Sequence, residues 1–232
     1  MSLSFDVISD LNLTPEDKFS WEDKVTSLFC VIPGNISSDL KVVHKTLSYL
    51  SELYRGIFYI DGTLEHESIP HRNDRIDKLE KICSTVNNCV FLHNNIVIVN
   101  GIAVMAANGW YGQYNRELFV HDGLRVSAYR NDDLEYLNNT VKRIQLHSDA
   151  TKILMVTSSP PNKDFFFKQD SHITDLMSPD TCLVYDTEKK ITNWAFGGGD
   201  KKVDTTVNGV NYVSNPFIKT EPYWAKRIEI TV

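Results

Sequence analysis

Residues 28–62 read LFCVIPGNISSDLKVVHKTLSYLSELYRGIFYIDG, and this stretch decides the fold. Leu28 to Ile32 is an unbroken apolar run stopped by Pro33-Gly34, the pattern of a strand buried on both faces and flanked by breakers. Ser38 is placed to cap a helix in which Leu40, Val43, Leu47, Leu50 and Tyr54 share one face. Gly56 ends that helix, and Ile57 to Ile60 form the next strand before Asp61-Gly62. Strand, helix, strand in this order predicts parallel strands joined by a crossover helix.

The same reading extends outward in both directions. Phe5 to Ser9 is a short strand ending at Asp10, and Asn73 to Val86 a second helix with Ile76, Leu79, Ile82 and Val86 on one side. Val90 to Leu92, Ile96 to Val99 and Ile102 to Ala106 are separated by Asn94-Asn95 and Asn100-Gly101, which predicts a β-meander. A third helix spans Asp132 to Ser148. Strands return at Ile153 to Thr157, Cys182 to Tyr185 and Ile191 to Phe196. The C-terminal part reads as antiparallel: Val203 to Val207, an Asn208-Gly209 turn, Val210 to Val213, and Ile228 to Val232. No repeat, low-complexity segment or linker-like shift interrupts the chain. The expectation is one α/β domain over residues 1–232, with two packed mixed β-sheets and outer helices.

Bulk properties narrow the function. The chain has 232 residues with 42% hydrophobic and 23% charged content, enough for a sizeable core. A net charge of -6 argues against a sequence-independent nucleic-acid binder, which needs a basic groove. Lys189, Lys190, Lys201 and Lys202 form the densest basic group and read as solvated loop residues. Cys30, Cys83, Cys89 and Cys182 show no CxxC spacing, so neither a zinc site nor a disulfide framework is expected, and a reducing compartment is favoured. The N-terminus lacks the pattern of a signal peptide, and no run reaches the roughly 18 apolar residues of a membrane span. A soluble, cytoplasmic protein is the expectation.

Open α/β sheets place their sites at the carboxyl ends of strands. Those ends here read Ser9-Asp10-Leu11-Asn12, Pro33-Gly34-Asn35, Asp61-Gly62-Thr63-Leu64-Glu65, Thr157-Ser158-Ser159-Pro160-Pro161 and Phe196-Gly197-Gly198-Gly199-Asp200. In order and spacing they resemble the calcineurin-like metallophosphoesterases, whose strand ends carry D-x-H, G-D, G-N-H-[DE], a lone His often followed by prolines, and G-H-x-H. The resemblance covers essentially the whole chain. Asn108-Gly109-Trp110-Tyr111, Val203-Asp204 and Val213-Ser214-Asn215-Pro216 flank these motifs and strengthen it. It implies a four-layer αββα sandwich. It also implies a centre of two divalent cations, such as Mn or an Fe/Zn pair, that bind phosphate oxygens and activate a bridging water.

Carried over residue by residue, the resemblance implies that this centre has been dismantled. Asp10 matches the first aspartate and is retained. The following histidine is Asn12, and the bridging aspartate is Asn35. The asparagine ligand falls on Thr63 and the catalytic histidine on Leu64. Glu65 survives in a position whose family role is structural. The lone ligand histidine falls on Ser158, or on Ser159 with a one-place slip, and the two histidines of the last motif fall on Gly198 and Asp200. Outer-shell losses alone weaken metal sites ~10–100-fold; here the ligands themselves are replaced, so no metal cofactor is expected.

The expectation is therefore a pseudoenzyme that keeps the scaffold for binding or assembly with a protein partner or with itself. Two alternatives stand beside it. One is a phosphate-, nucleotide- or single-cation-binding module using Asp10, Asn12, Asn35 and Asp200 as oxygen donors. The other is a residual metal-dependent phosphodiesterase. Among the histidines, His66 is best placed to swing inward. His44, His71, His93, His121, His147 and His172 show no ligand spacing. The Gly197-Gly198-Gly199 loop, with Lys201 or Lys202, is a rival anion cradle, and Phe165-Phe166-Phe167 reads as either core or contact surface. The short, insert-free form resembles phage-encoded members of the family, which implies the host cytoplasm or a virion.

Overall fold

The computed structural model describes residues 2–66, 72–109, 123–147, 149–165, 178–199 and 201–232. Trp110, Tyr111, His71, His121, Ser148, Phe166, Phe167, His172 and Asp200 lie outside these residues. Strands β1 (Ser2–Val7), β2 (Phe29–Pro33), β3 (Gly56–Ile60) and β4 (Cys89–Phe91) run parallel, and β11 (Lys226–Thr231) closes the five-stranded sheet antiparallel to β1. Helices α1 (Leu40–Leu53) and α2 (Arg72–Ser84) belong to this half.

The second sheet has six strands in the order β5 (Asn95–Val99), β6 (Ile102–Ala107), β7 (Lys152–Thr157), β8 (Ile191–Phe196), β10 (Val210–Ser214) and β9 (Val203–Val207). Its four middle strands are parallel, and each edge strand is the antiparallel arm of a hairpin. Helix α3 (Gly123–His147) covers its outer face.

Period-two alternation assigns the core residues to layers. In β3, Ile57 and Tyr59 turn toward α1 and α2, joining Val43, Leu47, Leu50 and Leu79, while Phe58 and Ile60 turn inward between the sheets. In β7, Leu154 and Val156 meet that central layer, and Ile153 and Met155 pack under Leu137, Val141 and Ile144 of α3. Strands buried on both faces must be apolar throughout, which is why the runs were continuous. The result is helices, sheet, sheet, helix, as the sequence patterning anticipated.

Several local expectations are corrected. Val90 to Leu92 is not the first arm of a meander; β4 pairs parallel with β3, and the Asn94-Asn95 turn carries the chain to the other sheet. Only Asn100-Gly101 closes a hairpin there, with φ of 49° and 80°. Cys182 to Tyr185 is not a strand but the end of a 3-10 helix, Pro179–Tyr185, with proline in its first turn. It packs along α3, where Lys142 Nζ lies 3.9 Å from the Tyr185 ring centre and Gln145 donates to Asp186 at 2.9 Å. Helix α3 begins at Gly123 rather than Asp132. Asp39, not Ser38, caps α1 by accepting from Lys41 N at 2.7 Å. The C-terminal strand pairs with β1 in the other sheet, and β10 lies parallel to β8.

Candidate functional site at the strand ends

The carboxyl ends of β1, β2, β3, β7 and β8 converge through loops held in unusual backbone conformations. Asp10, Asn12 and Asn35 have φ of 54°, 46° and 58°. A left-handed conformation costs roughly 1–2 kcal/mol for a residue with a side chain, least for Asn and Asp. The loops are also very close. A Cβ on Gly62 would collide with Asn35 Oδ1, and one on Gly197 with the Pro33 carbonyl. The loop after β1 runs beside the loop after β2 through Asp10 N to Gly34 O, Asn12 N to Asn35 O and Leu13 N to Ile36 O.

Asp10 sits at the centre and is only 4% exposed. Its Oδ1 accepts from Asn35 Nδ2 at 2.7 Å and from Gly198 N at 2.8 Å. Its Oδ2 is buried and, among the described residues, accepts no well-formed hydrogen bond, with the Ser9 hydroxyl beside the carboxyl. Burial raises its pKa to about 7, against the lowering by those two donors.

Asn35 Oδ1 accepts from Leu64 N at 3.0 Å. That donor fixes which way the amide points: the oxygen must face Leu64, so the NH2 end faces Asp10. Glu65 holds the loops from behind. Its Oε2 accepts from Asn35 N at 3.0 Å and Gly62 N at 2.8 Å, and its Oε1 from Ile36 N at 2.6 Å. Burial raises its pKa against these donors. Arg75 of α2 donates to the Glu65 and Ser38 carbonyls and ties this brace to the loop that leads into α1.

The residues singled out by the motif order thus meet unequally. Asp10, Asn35 and Gly198 touch directly, and Leu64 and Glu65 join through Asn35. Ser158 is buried beside Gly34 and Gly198, but its hydroxyl donates to the Asn108 carbonyl at 3.0 Å. Asn12 is exposed and folds back on its own loop, donating to Asp10 O at 2.8 Å. Thr63 is half-buried, and its carbonyl accepts from His66 N. The glycine loop is a poor anion cradle: Gly197 N is taken by Thr157 O and Gly198 N by Asp10, while Lys202 Nζ faces Glu221 at 3.4 Å.

A second cluster went unrecognised in the sequence. Asp61, fully buried at the end of β3, has His66 Nε2 2.6 Å from one oxygen and His93 Nδ1 3.1 Å from the other. Asn108 Nδ2 donates to the Asp61 carbonyl at 2.8 Å. Burial alone would raise the Asp61 pKa; the His93 and His66 imidazoles overcome this and hold it well below the usual carboxylate range. His66 therefore turns to Asp61. The overlooked signal was a carboxylate directly after an apolar run with a histidine five residues on. His44 is remote, 3.2 Å from the exposed Thr85 hydroxyl.

The described residues do not fit a two-cation centre. Such a centre needs a bridging carboxylate and imidazole donors around both ions. Here Asn35 presents amide hydrogens to the Asp10 carboxylate. Among the described residues no group of three or more His, Cys, Asp or Glu is placed to hold a metal.

Neither protein-family models nor curated proteins match the sequence. Among solved structures, the chain is similar to the phosphopantetheinyl hydrolase PptH from Mycobacterium tuberculosis. The TM-score is 0.68 at 12% identity, covering 98% of this chain and 96% of that one. It is also similar to a putative 5'-nucleotidase from Staphylococcus aureus, with TM-score 0.55, 11% identity, all of this chain and 51% of that one. GAP50, the anchor in the inner membrane complex of Plasmodium, matches with TM-score 0.52 at 12% identity over 93% of this chain and 71% of that one. With its two mixed sheets between helices, the chain has the calcineurin-like phosphoesterase fold.

Proposed function

We propose that this chain is a non-catalytic phosphoesterase-fold protein, its scaffold retained for binding or assembly. The supporting observation is the 2.7 Å hydrogen bond from Asn35 Nδ2 to Asp10 Oδ1. In a dinuclear centre two carboxylates at these positions would be drawn together by the cations between them. Here an amide and a carboxylate satisfy each other directly, and a cation entering between them would face N–H hydrogens. Leu64, where the resemblance implies a catalytic histidine, has an apolar side chain and cannot protonate a leaving group. GAP50 shares this fold and serves as an anchor, so the architecture supports tethering as well as hydrolysis. The reading includes no nucleic-acid partner, given the net charge of -6. Among the described residues no helix is long and apolar enough to cross a membrane. The same reading puts the protein in a host cytoplasm or a virion, on its likeness to short phage-encoded members. The test is a Mn2+ titration against a generic phosphodiester substrate. No turnover above the metal-only blank is expected; robust metal-dependent turnover, abolished by Asp10→Ala, would sink the reading.

The Asp61 cluster favours a second reading, a phosphate-bearing small molecule bound in the cleft. His66 and His93 bring two imidazoles onto one buried carboxylate whose pKa they hold low, and such perturbed clusters gather at binding sites. Thermal-shift measurements with inorganic phosphate and nucleotides separate the two readings. Stabilisation that is lost in His66→Ala supports the second; no stabilisation by any of them leaves the first.

A further inference from the structure

The four sheet edges of the sandwich are not equally protected. Strand β11 carries Lys226, Arg227 and Glu229, and Lys226 forms an ion pair with Asp204 on β9, the edge strand of the other sheet. Strand β4 is only three residues long. Charges and short length are the usual devices that keep sheet edges from pairing. Strand β5 has neither. It reads Asn95-Ile96-Val97-Ile98-Val99, carries no charge, and leaves Ile98 50% exposed.

The ladder parity shows which groups β5 offers. Asn100-Gly101 is a two-residue turn, so Val99 and Ile102 form a hydrogen-bonded pair, as do Val97 with Val104 and Asn95 with Ala106. The main-chain groups of Ile96 and Ile98 therefore point away from β6, toward the sheet edge, where among the described residues no strand pairs with them. Ile96 N is capped there by its neighbour's side chain, Asn95 Oδ1, at 2.8 Å. The side chains of Val97 and Val99 pack between the sheets and Ile96 packs on the α3 side, the side to which Ile98 also belongs.

We propose that β5 is a homodimer edge, pairing antiparallel with β5 of a second copy about a twofold axis at Val97. Ile96-Val97-Ile98 is its own reverse, so one register matches the full strand. Ile96 lies opposite Ile98 of the second copy, Val97 opposite Val97, and the outward N–H and C=O groups of Ile96 and Ile98 bond across the axis. On the α3 side each exposed Ile98 is then covered by Ile96 of the other copy. An uncharged strand has no like-charge repulsion to overcome when it meets itself, unlike β11. The pairing exchanges the single Asn95 cap for main-chain bonds. It specifies the self-assembly allowed by the proposed function, but it rests on β5 rather than on the cleft.

Light scattering after size exclusion at about 50 µM tests the proposal on the full chain. A dimer is expected, and Ile98→Lys is expected to weaken it at least ~100-fold, because the twofold repeats each substitution and buries a charge against an apolar side chain. Since Ile98 is exposed, that variant should keep the melting behaviour of an isolated chain. Val97→Cys adds a register-specific readout: facing residues at a non-bonded antiparallel pair are ~4.5 Å apart at Cα, within disulfide reach. A mild oxidant should give a covalent dimer absent from the wild-type control with its own four cysteines. A monomer at all concentrations overturns the proposal, as does a dimer indifferent to Ile98→Lys with no Val97→Cys cross-link. A phosphodiesterase assay on the same samples tests the cleft reading separately.

Discussion

Replacing Asp10 with asparagine should stabilise the protein, and the pH dependence of that gain reports on the cleft. In the native state burial pushes the Asp10 pKa up from 3.8 to about 7, against the lowering by its hydrogen-bond donors. The unfolded chain releases this proton near its ordinary value while the native chain holds it, so native stability falls as pH rises from about 4 to 7. The penalty is complete above the native pKa. A shift of about 3 units corresponds to about 4 kcal/mol at 1.36 kcal/mol per unit. Asparagine keeps an oxygen for Asn35 Nδ2 and Gly198 N, removes the charge, and offers amide hydrogens to the Ser9 hydroxyl beside it. Asp10→Asn is therefore expected to gain about 2–4 kcal/mol at pH 8, or roughly 5–15 °C in Tm for a chain of this length. The gain should shrink toward zero at pH 4. Urea unfolding of both proteins from pH 4 to 8, in chelator, measures it. A loss of stability at pH 8, or a difference independent of pH, would refute the reasoning, since it would mean that a positive charge compensates Asp10 in the native protein.

Three further substitutions probe the surroundings. Asn35→Asp sets a second carboxylate against Asp10 and loses the amide donor, so in chelator at pH 8 it should cost about 2–4 kcal/mol and recover at pH 5, as read by calorimetry. Asp61→Asn removes a buried charge held between His66 and His93. Because the native pKa of Asp61 is depressed, its contribution is present above the unfolded value near 3.8 and lost as pH falls through the native one. The variant should lose about 3–5 kcal/mol at pH 7 and less at pH 3, measured as urea midpoints. Asp6, buried in β1, accepts from Thr26 N, Ser27 N and the Tyr54 hydroxyl, which in turn accepts from Trp21 Nε1. Asp6→Ala strands these donors and should cost about 3–5 kcal/mol in thermal unfolding.

What could be read from sequence was what a short window determines. The apolar runs of β2, β3 and β7 stand out because both faces are buried, and Asn100-Gly101 and Asn208-Gly209 are hairpin turns with positive φ at both residues. Motif order also brought Asp10, Asn35, Glu65 and Gly198 to one place. Partner choice between sheets was invisible: Val90 pairs with Phe58 in one sheet, and Ile96, six residues later, with Met105 in the other. The 3-10 turn ending at Tyr185 looked like a strand because four apolar residues carry no period. Asp61 read as a turn residue before glycine, since one of the imidazoles that engage it, His93, comes from 32 residues on. Asn35 read as a lost ligand; only the structure showed its amide turned onto Asp10.

Elemental analysis of chain purified without chelator, after growth with Mn, Fe and Zn supplied, bears most directly on the proposed loss of a metal centre. Well under one bound metal per chain is the result that follows from the Asn35 amide donating to Asp10. Close to two tightly held transition-metal ions per chain would contradict it.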